Sequence, residues 1–378
     1  MKTTQVIWLL VAAALPCFAQ PNISYKQEVQ RSIDKGIASL KASQHADGYW
    51  LSPDHPAVTA LCLLSFHGDP SSTGKSPMPD WVKRGHAFLL KNVQPDGGIY
   101  VKEKGLANYN TALCMMALVT ANDPANEKVI RKARSFLVGL QQDFDTKGIL
   151  DSPLDGGIGY GNRYPHSDLN NTLTALESLY YTRHLVKDNP KEPDLNWAAA
   201  IQFIQNCQNL PSHNKLPFAS DDPKQKGGFI YFPGHSMAGS ATNSATGKVA
   251  LRSYGSISYA GMMSYIYAEV KRDDPRVVAV HKWITENFTL EENPGMGPQG
   301  LYYYYYLMAK ALSVHGTTEI QLKNGKTINW RRELAAKLLN LQKSNGTWEN
   351  DNARWWEKET PLVTAYSIIA LELIHRGL

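Results

Sequence analysis

The chain is short of charge and of cysteine, and it carries no long apolar run. Charged residues make up 19% of its 378 positions, below the roughly 25% of an ordinary soluble domain. Hydrophobic residues reach 43%, which excludes intrinsic disorder, since that state needs low hydrophobicity and high net charge. Glycine (28) and proline (21) stand at ordinary levels, so collagen-like and low-complexity chains are excluded as well. The formal net charge is only +5 and no block of Lys and Arg occurs, so the basic stripe of a nucleic-acid binder is missing. No run approaches the roughly 18 apolar residues of a membrane-spanning helix, and no transmembrane segment is expected. H-E-x-x-H, H-x-H, G-x-S-x-G and P-loop patterns are absent, which removes motif support for zinc proteases, serine hydrolases and NTPases. His55, His166, His213 and His235 fall in turns or loops. No metal and no cofactor is read from the sequence.

The first residues read as an address. Lys2 precedes an apolar run from Val6 to Leu15, too short to span a bilayer, and then Pro16-Cys17-Phe18-Ala19. This is the pattern of a secretory signal peptide over 1–19, cut after Ala19, so the protein is expected to be exported, periplasmic or secreted. Pro16 stands where a lipoprotein signal carries a small residue, which weighs against a lipid anchor on Cys17. Cys62, Cys114 and Cys207 remain, an odd number that leaves no complete disulfide framework. Cys62 and Cys114 sit in apolar helical runs and read as buried thiols.

Against these absences stand 19 tyrosines, 9 tryptophans and an internal repeat. Six units share one recipe: an amphipathic helix ending in Gln, a Gly-aromatic turn, then a helix of small and apolar residues. The turns are Asp47-Gly48-Tyr49-Trp50, Asp96-Gly97-Gly98-Ile99-Tyr100, Asp155-Gly156-Gly157-Ile158-Gly159-Tyr160, Gly227-Gly228-Phe229-Ile230-Tyr231, a degenerate Pro294-Gly295-Met296-Gly297 and Asn345-Gly346-Thr347-Trp348. In the first helix of a unit, apolar residues recur every three or four positions, as at Ile33, Ile37 and Leu40, which suits an outer position. The second helix is apolar or small nearly all round and must be covered on both faces. Six such pairs predict an all-α (α/α)6 toroid, a double ring of six inner and six outer helices. An open superhelical solenoid is the other arrangement the repeat allows, but closure protects the end units. The expected domain is a single toroid over 20–378. It is interrupted by a Gly-, Ser- and Pro-rich insertion at about 210–251, read as an excursion over one mouth of the ring.

The Gln44…Gly48-Tyr49-Trp50 and Gln342…Gly346-Thr347-Trp348 patterns resemble the QW repeats of squalene and oxidosqualene cyclases. The Gly97-Gly98 and Gly227-Gly228-Phe229 turns resemble the repeats of protein prenyltransferase β-subunits. The resemblance covers nearly the whole mature chain and implies the terpenoid-cyclase-like toroid. Its chemistry does not carry over. Prenyltransferase zinc ligands would fall where Arg252, Tyr254 and Val363 stand, and none of these replaces Asp, Cys or His. The DxDD and DCTAE acids of the cyclases are absent, and so is the Gly-Cys-Gly-Glu-Gln motif of thioester-containing toroids. Asp221-Asp222 and Asp273-Asp274 stand beside prolines and read as turn and cap residues.

The candidate acid is Asp168, which opens the third inner helix and doubles as a helix N-cap. A neutral carboxylic acid in a dry pocket is what protonation of an alkene requires. Candidate binding residues on or beside the inner helices are Tyr109, Asn170, Tyr254, Tyr259, Tyr303 and Tyr366, with Trp355, Trp356 and Glu357 before the last helix. Five consecutive tyrosines, Tyr302–Tyr306, cover every face of one inner helix. These residues point to a central cavity that binds or transforms an isoprenoid or other lipid. If the protein is an enzyme, it is expected to be a cyclase-like isomerase or a prenyltransferase-like transferase. The rival readings are a non-catalytic secreted module that recognises protein or glycan, and a carbohydrate-active toroid. The signal-peptide reading predicts that protein purified from an exporting host begins at Gln20; an intact mass that still includes residues 1–19 would refute it.

Overall fold

The computed structural model describes residues 21–378 except 73–75, 162–165, 188, 190, 243–246 and 248. The segment read as a signal peptide lies outside the described residues. The outer helices are α1 (Pro21–Ser43), α3 (Asp80–Lys91), α5 (Glu127–Val138), α7 (Trp197–Asn206), α9 (Pro275–Glu286) and α11 (Trp330–Leu341). They alternate along the chain with the inner helices α2 (Pro56–His67), α4 (Ala107–Thr120), α6 (Leu169–Tyr181), α8 (Gly255–Tyr267), α10 (Leu301–His315) and α12 (Thr360–Gly377). Burial separates the two sets. Outer α5 buries Ile130, Ala133, Arg134 and Leu137, one stripe at helical spacing. Inner α8 buries every residue except Ile266, as a helix covered on all sides must.

Each inner helix packs on the next, and α12 packs on α2, so the inner ring is closed. The outer helix α1 seats against α12, which stitches the first unit to the last. The all-α double ring is therefore the fold, and the open solenoid is not. Among the described residues, two short antiparallel strand pairs decorate it. One pairs β1 (Ser240–Thr242) with β2 (Val249–Leu251) inside the 210–251 insertion, and the other pairs β3 (Glu319–Gln321) with β4 (Thr327–Asn329) between α10 and α11. Cys62, Cys114 and Cys207 are free and buried. No described helix is long and apolar enough to cross a membrane.

The repeat residues build the joints of the ring. The Gln44 amide donates to the Gly48 carbonyl (2.9 Å) and to the Trp81 carbonyl of the next outer helix (2.8 Å). Gln208 spans Gly227 and Arg276 in the same way, and in the third unit Gln141 rather than its neighbour Gln142 spans Gly156 and Asn196. Gln342 reaches forward to Gly346 and, across the closure, to the Ser32 carbonyl of α1 at 2.9 Å. Gln94 departs from the scheme and bonds the carbonyls of Asn92 and Tyr100. A hydroxyl on the inner helix completes each joint. Thr59, Thr111, Thr172, Ser258 and Thr364 accept from the backbone N–H of Trp50, Ile99, Ile158, Phe229 and Trp348 at 2.9–3.2 Å.

The turn glycine is required twice over. Gly346 has φ +85°, and a Cβ there would lie 2.4 Å from the Lys35 carbonyl oxygen of α1. Gly325, in the β3–β4 turn, has φ +81° with nothing within 4 Å. Gly325→Ala is therefore expected to cost about 1 kcal/mol, the left-handed backbone penalty alone. Gly346→Ala adds a backbone clash at the ring closure and is expected to cost at least twice that in urea unfolding. Equal losses would show that the turn does not hold the closure.

Candidate functional site

A cavity of about 350 Å³ opens at the mouth where the inner helices begin. Every inner helix contributes to its wall from its first turns: Val58, Tyr109, Asn170, Ser256, Tyr303 and Leu362 come one from each. Parallel inner helices bring six helix N-termini to one place, where N–H groups lack intrahelical acceptors. The chain satisfies them from the neighbouring units. Asn110 Oδ1 accepts from Ala57 N (3.0 Å) at the start of α2. The Tyr160 carbonyl accepts from Asn108 N in α4, and the Tyr231 carbonyl from Leu169 N in α6. Asn293 Oδ1 accepts from Ser256 N (2.9 Å) at α8.

Two carboxylates serve the same purpose. Asp168 is fully buried and caps α6. Its Oδ1 accepts from Asn171 N (2.9 Å), its Oδ2 accepts from Asn171 Nδ2 (2.7 Å), and the Tyr231 hydroxyl is hydrogen-bonded to it as well. Burial pushes the carboxyl up to about 7, although each of these bonds pulls it down. Asp168 is thus both cap and protonatable acid. Glu357 lies at the start of α10, accepting from Tyr303 N (2.7 Å), Tyr302 N (3.2 Å) and Asn350 Nδ2 (2.6 Å). Burial raises its pKa too.

The structure brings most of the sequence candidates together. Tyr109, Asn170, Tyr254, Tyr303, Trp355, Trp356, Glu357 and Tyr366 all line the cavity. Asp168 does not; it stands behind the wall formed by Asn171 and Tyr231. Tyr259 lies outside the lining, fully buried against Tyr304 at 5.6 Å between ring centres. The five-tyrosine run divides by helical spacing. Tyr303 and Tyr306 turn inward, with rings 6.0 Å apart, while Tyr304 and Tyr305 turn outward and donate to the Thr289 and Leu290 carbonyls.

Beneath the cavity the lumen is filled. The Tyr109 and Tyr366 hydroxyls meet at 3.2 Å, and Tyr366 packs on Tyr303 and Tyr306. Below them Lys310 Nζ holds the Tyr306 hydroxyl (3.0 Å) and pairs with Glu177 at 2.5 Å. At the rim, Trp355 and Trp356 are each 43% exposed. Both take left-handed backbone angles, φ 54° and 64°, which side chains other than glycine seldom adopt. Trp356 lies against His55, with ring centres 4.7 Å apart.

Sequence reading missed His55, Asn110, Tyr160, Asn171, Tyr231, Met237 and Ser256 as lining residues. The repeat held the signal for three of them. His55 stands at the same helix-start position as Asp168 and Tyr254. Tyr160 and Tyr231 share one register, two places after Ile158 and Phe229. Among the described residues no group of three His, Cys, Asp or Glu gathers to hold a metal.

No protein-family profile matches the chain. A lanosterol synthase of Aspergillus fumigatus is 27% identical over 146 residues, covering 34% of this chain and 19% of that protein. The match thus spans about a fifth of the length of that curated relative. A type II terpene cyclase, MstE from Scytonema, in complex with geranylgeranyl dihydroxybenzoate, is similar with TM-score 0.54 and 11% identity. That likeness covers 94% of this chain and 100% of that one. A GH76 α-mannanase of Bacteroides thetaiotaomicron is similar with TM-score 0.50 and 11% identity, covering 94% and 95% of the two chains. The chain thus shares its fold, the (α/α)6 toroid, with these solved structures.

Asp168 makes a signed prediction. An acid whose folded pKa is raised from 3.8 to about 7 holds more protons folded than unfolded across that range. Its contribution to stability is full below about pH 4 and is lost as pH rises to about 7. Asp168→Asn removes that dependence. The melting temperature of the variant minus that of wild type is expected to rise between pH 4 and 7 and to level off above. A flat difference would show that Asp168 is ionised throughout.

Proposed function

We propose that the cavity binds an isoprenoid or similar hydrophobic chain and that Asp168 supplies the proton that starts its conversion. The observation that carries this reading is a fully buried carboxyl, pushed up to about 7, behind an aromatic wall. A neutral acid in a dry site can protonate an alkene, which water-exposed carboxylic acids do poorly. The carbocation formed would face Tyr109, Tyr254, Tyr303, Tyr366 and the two rim tryptophans. Each such ring face stabilises a positive charge by roughly 0.5–2 kcal/mol. The terpene-cyclase likeness supports the reading at the level of the fold. Export through residues 1–19 belongs to the same proposal and places the ligand outside the cytoplasm.

A carbohydrate-directed activity is the second reading, favoured by the exposed Trp355–Trp356 pair and by amides at Asn110, Asn170 and Asn171. Glycoside hydrolysis needs two carboxyl groups facing the scissile bond, roughly 5–9.5 Å apart. Here Glu357 is the one carboxyl group among the described residues that line the cavity, so no facing pair is present on its surface. That arrangement tips the balance to the lipid.

Organic extraction of the purified protein followed by mass spectrometry tests the reading. A stoichiometric isoprenoid is expected, together with quenching of tryptophan fluorescence by added geranylgeraniol. Tyr109→Ala should weaken that titration about tenfold. An empty extract with no quenching would remove the lipid reading, and binding to a glycan array would install the second.

A further inference from the structure

The cavity wall raises a question about its own acid. Asp168 is fully buried and touches no part of the cavity surface; Asn171 and Tyr231 stand in front of it. A ligand in the cavity therefore meets the amide of Asn171 or the phenol of Tyr231, never the carboxyl. The amide of Asn171 donates to Asp168 Oδ2, and a side-chain amide gives up no proton at neutral pH. The phenol can pass one on, because a hydroxyl accepts and donates at the same oxygen. We propose that Tyr231 is the catalytic residue that hands the proton to the ligand, with Asp168 replacing that proton in the same event. This inference rests on the function proposed above and names the group that touches the substrate.

Three contacts place Tyr231 for the task. Its backbone carbonyl accepts from Leu169 N at 2.9 Å, which fixes the residue beside the start of α6 and beside Asp168. Its hydroxyl is hydrogen-bonded to the Asp168 carboxyl. That hydroxyl also lies 3.4 Å from the hydroxyl of Tyr160, a second wall residue. Tyr231 is 5% exposed, so bulk water does not compete for the proton. It belongs to the 210–251 insertion, which gives that excursion a chemical role besides covering the mouth.

The step balances. The O–H bond of Tyr231 breaks as a C–H bond forms on the terminal alkene carbon, whose π electrons accept the proton. The O–H bond of Asp168 breaks as a new O–H bond forms on Tyr231. The ligand gains one positive charge and Asp168 one negative charge. Tyrosinate never accumulates, as its deep burial and the neighbouring Asp168 demand, since both push the phenol far above its usual range. The product carboxylate is received by Asn171 N and Asn171 Nδ2, which already aim at its two oxygens. Loss of a proton from the final cation returns one equivalent to solvent, and Asp168 recovers one from it. Tyr254 and Cys207 are further titratable groups close to Asp168, and burial raises both.

The experiment compares wild type with Tyr231→Phe, Asp168→Asn and Tyr305→Phe, using geranylgeraniol as probe. Cyclised product is read by gas chromatography with mass detection, and binding by tryptophan fluorescence. Tyr231→Phe keeps the backbone carbonyl that seats α6, so its melting temperature should stay near that of wild type. Product formation is expected to fall about 100-fold or more in Tyr231→Phe and in Asp168→Asn, the usual scale for loss of a general acid. Binding should be retained in both. Tyr305, whose hydroxyl bonds the Leu290 carbonyl outside the cavity, should be replaceable by Phe without loss. A second readout needs no turnover. The infrared C=O band assigned to protonated Asp168 by its absence in Asp168→Asn should shift in Tyr231→Phe, because one hydrogen bond to that carboxyl is gone. An unmoved band overturns the relay. So does a Tyr231→Phe variant that stays active while Asp168→Asn is dead, which would leave Asp168 acting directly. Binding without conversion by wild type overturns the catalytic reading of the cavity and the relay with it, even if the band shifts.

Discussion

The ring depends on one close approach repeated around it: a left-handed turn glycine laid against the backbone of the next outer helix. Gly48 meets Arg84, Gly97 meets Lys132, Gly156 meets Ala199, Gly227 meets Ala279, and Gly346 meets Lys35. In each case an added Cβ would fall within 2.8 Å of a carbonyl oxygen. A glutamine amide bridges the turn to the next outer helix in four of these joints. The fifth joint runs from the last unit to the first, so a local rule closes the circle without any special closing element. Because every unit leans on its neighbour, no pair of helices is expected to hold its geometry alone.

That geometry makes the site. Closing six parallel inner helices into a ring collects six sets of unpaired N–H groups at one mouth. Something must accept from them, and carboxylates do so with added benefit from the helix dipole. Asp168 and Glu357 are there for that structural reason. Burial then alters their chemistry, since desolvation disfavours the charged form more than the amide bonds restore it. Capping and acidity are thus two consequences of one placement.

The double ring was legible in the sequence because it rests on periodicity and on glycines whose purpose is local. The inward set of aromatics was legible in part. Tyr109, Tyr254, Tyr303 and Tyr366 sit in the first turns of inner helices or just before them, where any side chain on the inner face meets the mouth. Tyr259 has the same composition signal but points between helices, and only the rotation of α8 about its axis decides that. Met237 comes from the insertion beyond the fourth turn, where no period predicts direction. Tyr231 shares the turn register of Tyr160, but the wall it makes in front of Asp168 was hidden, since it folds back onto the start of α6 from sixty-three positions away.

The plug beneath the cavity has a consequence of its own. Lys310 and Glu177 form a partly buried ion pair under Tyr306, and the Tyr109–Tyr366 contact lies above it. Opening a passage there would break that pair and part the packed tyrosines above it. The toroid is therefore a cup rather than a tube. A chain inserted tip-first adds roughly 0.8 kcal/mol of affinity for each buried methylene until it touches the tyrosine floor, and nothing beyond. On the lipid reading proposed above, affinity plotted against chain length would rise and then run flat, the depth of the cup would measure the ligand, and whatever entered would leave past the same two tryptophans.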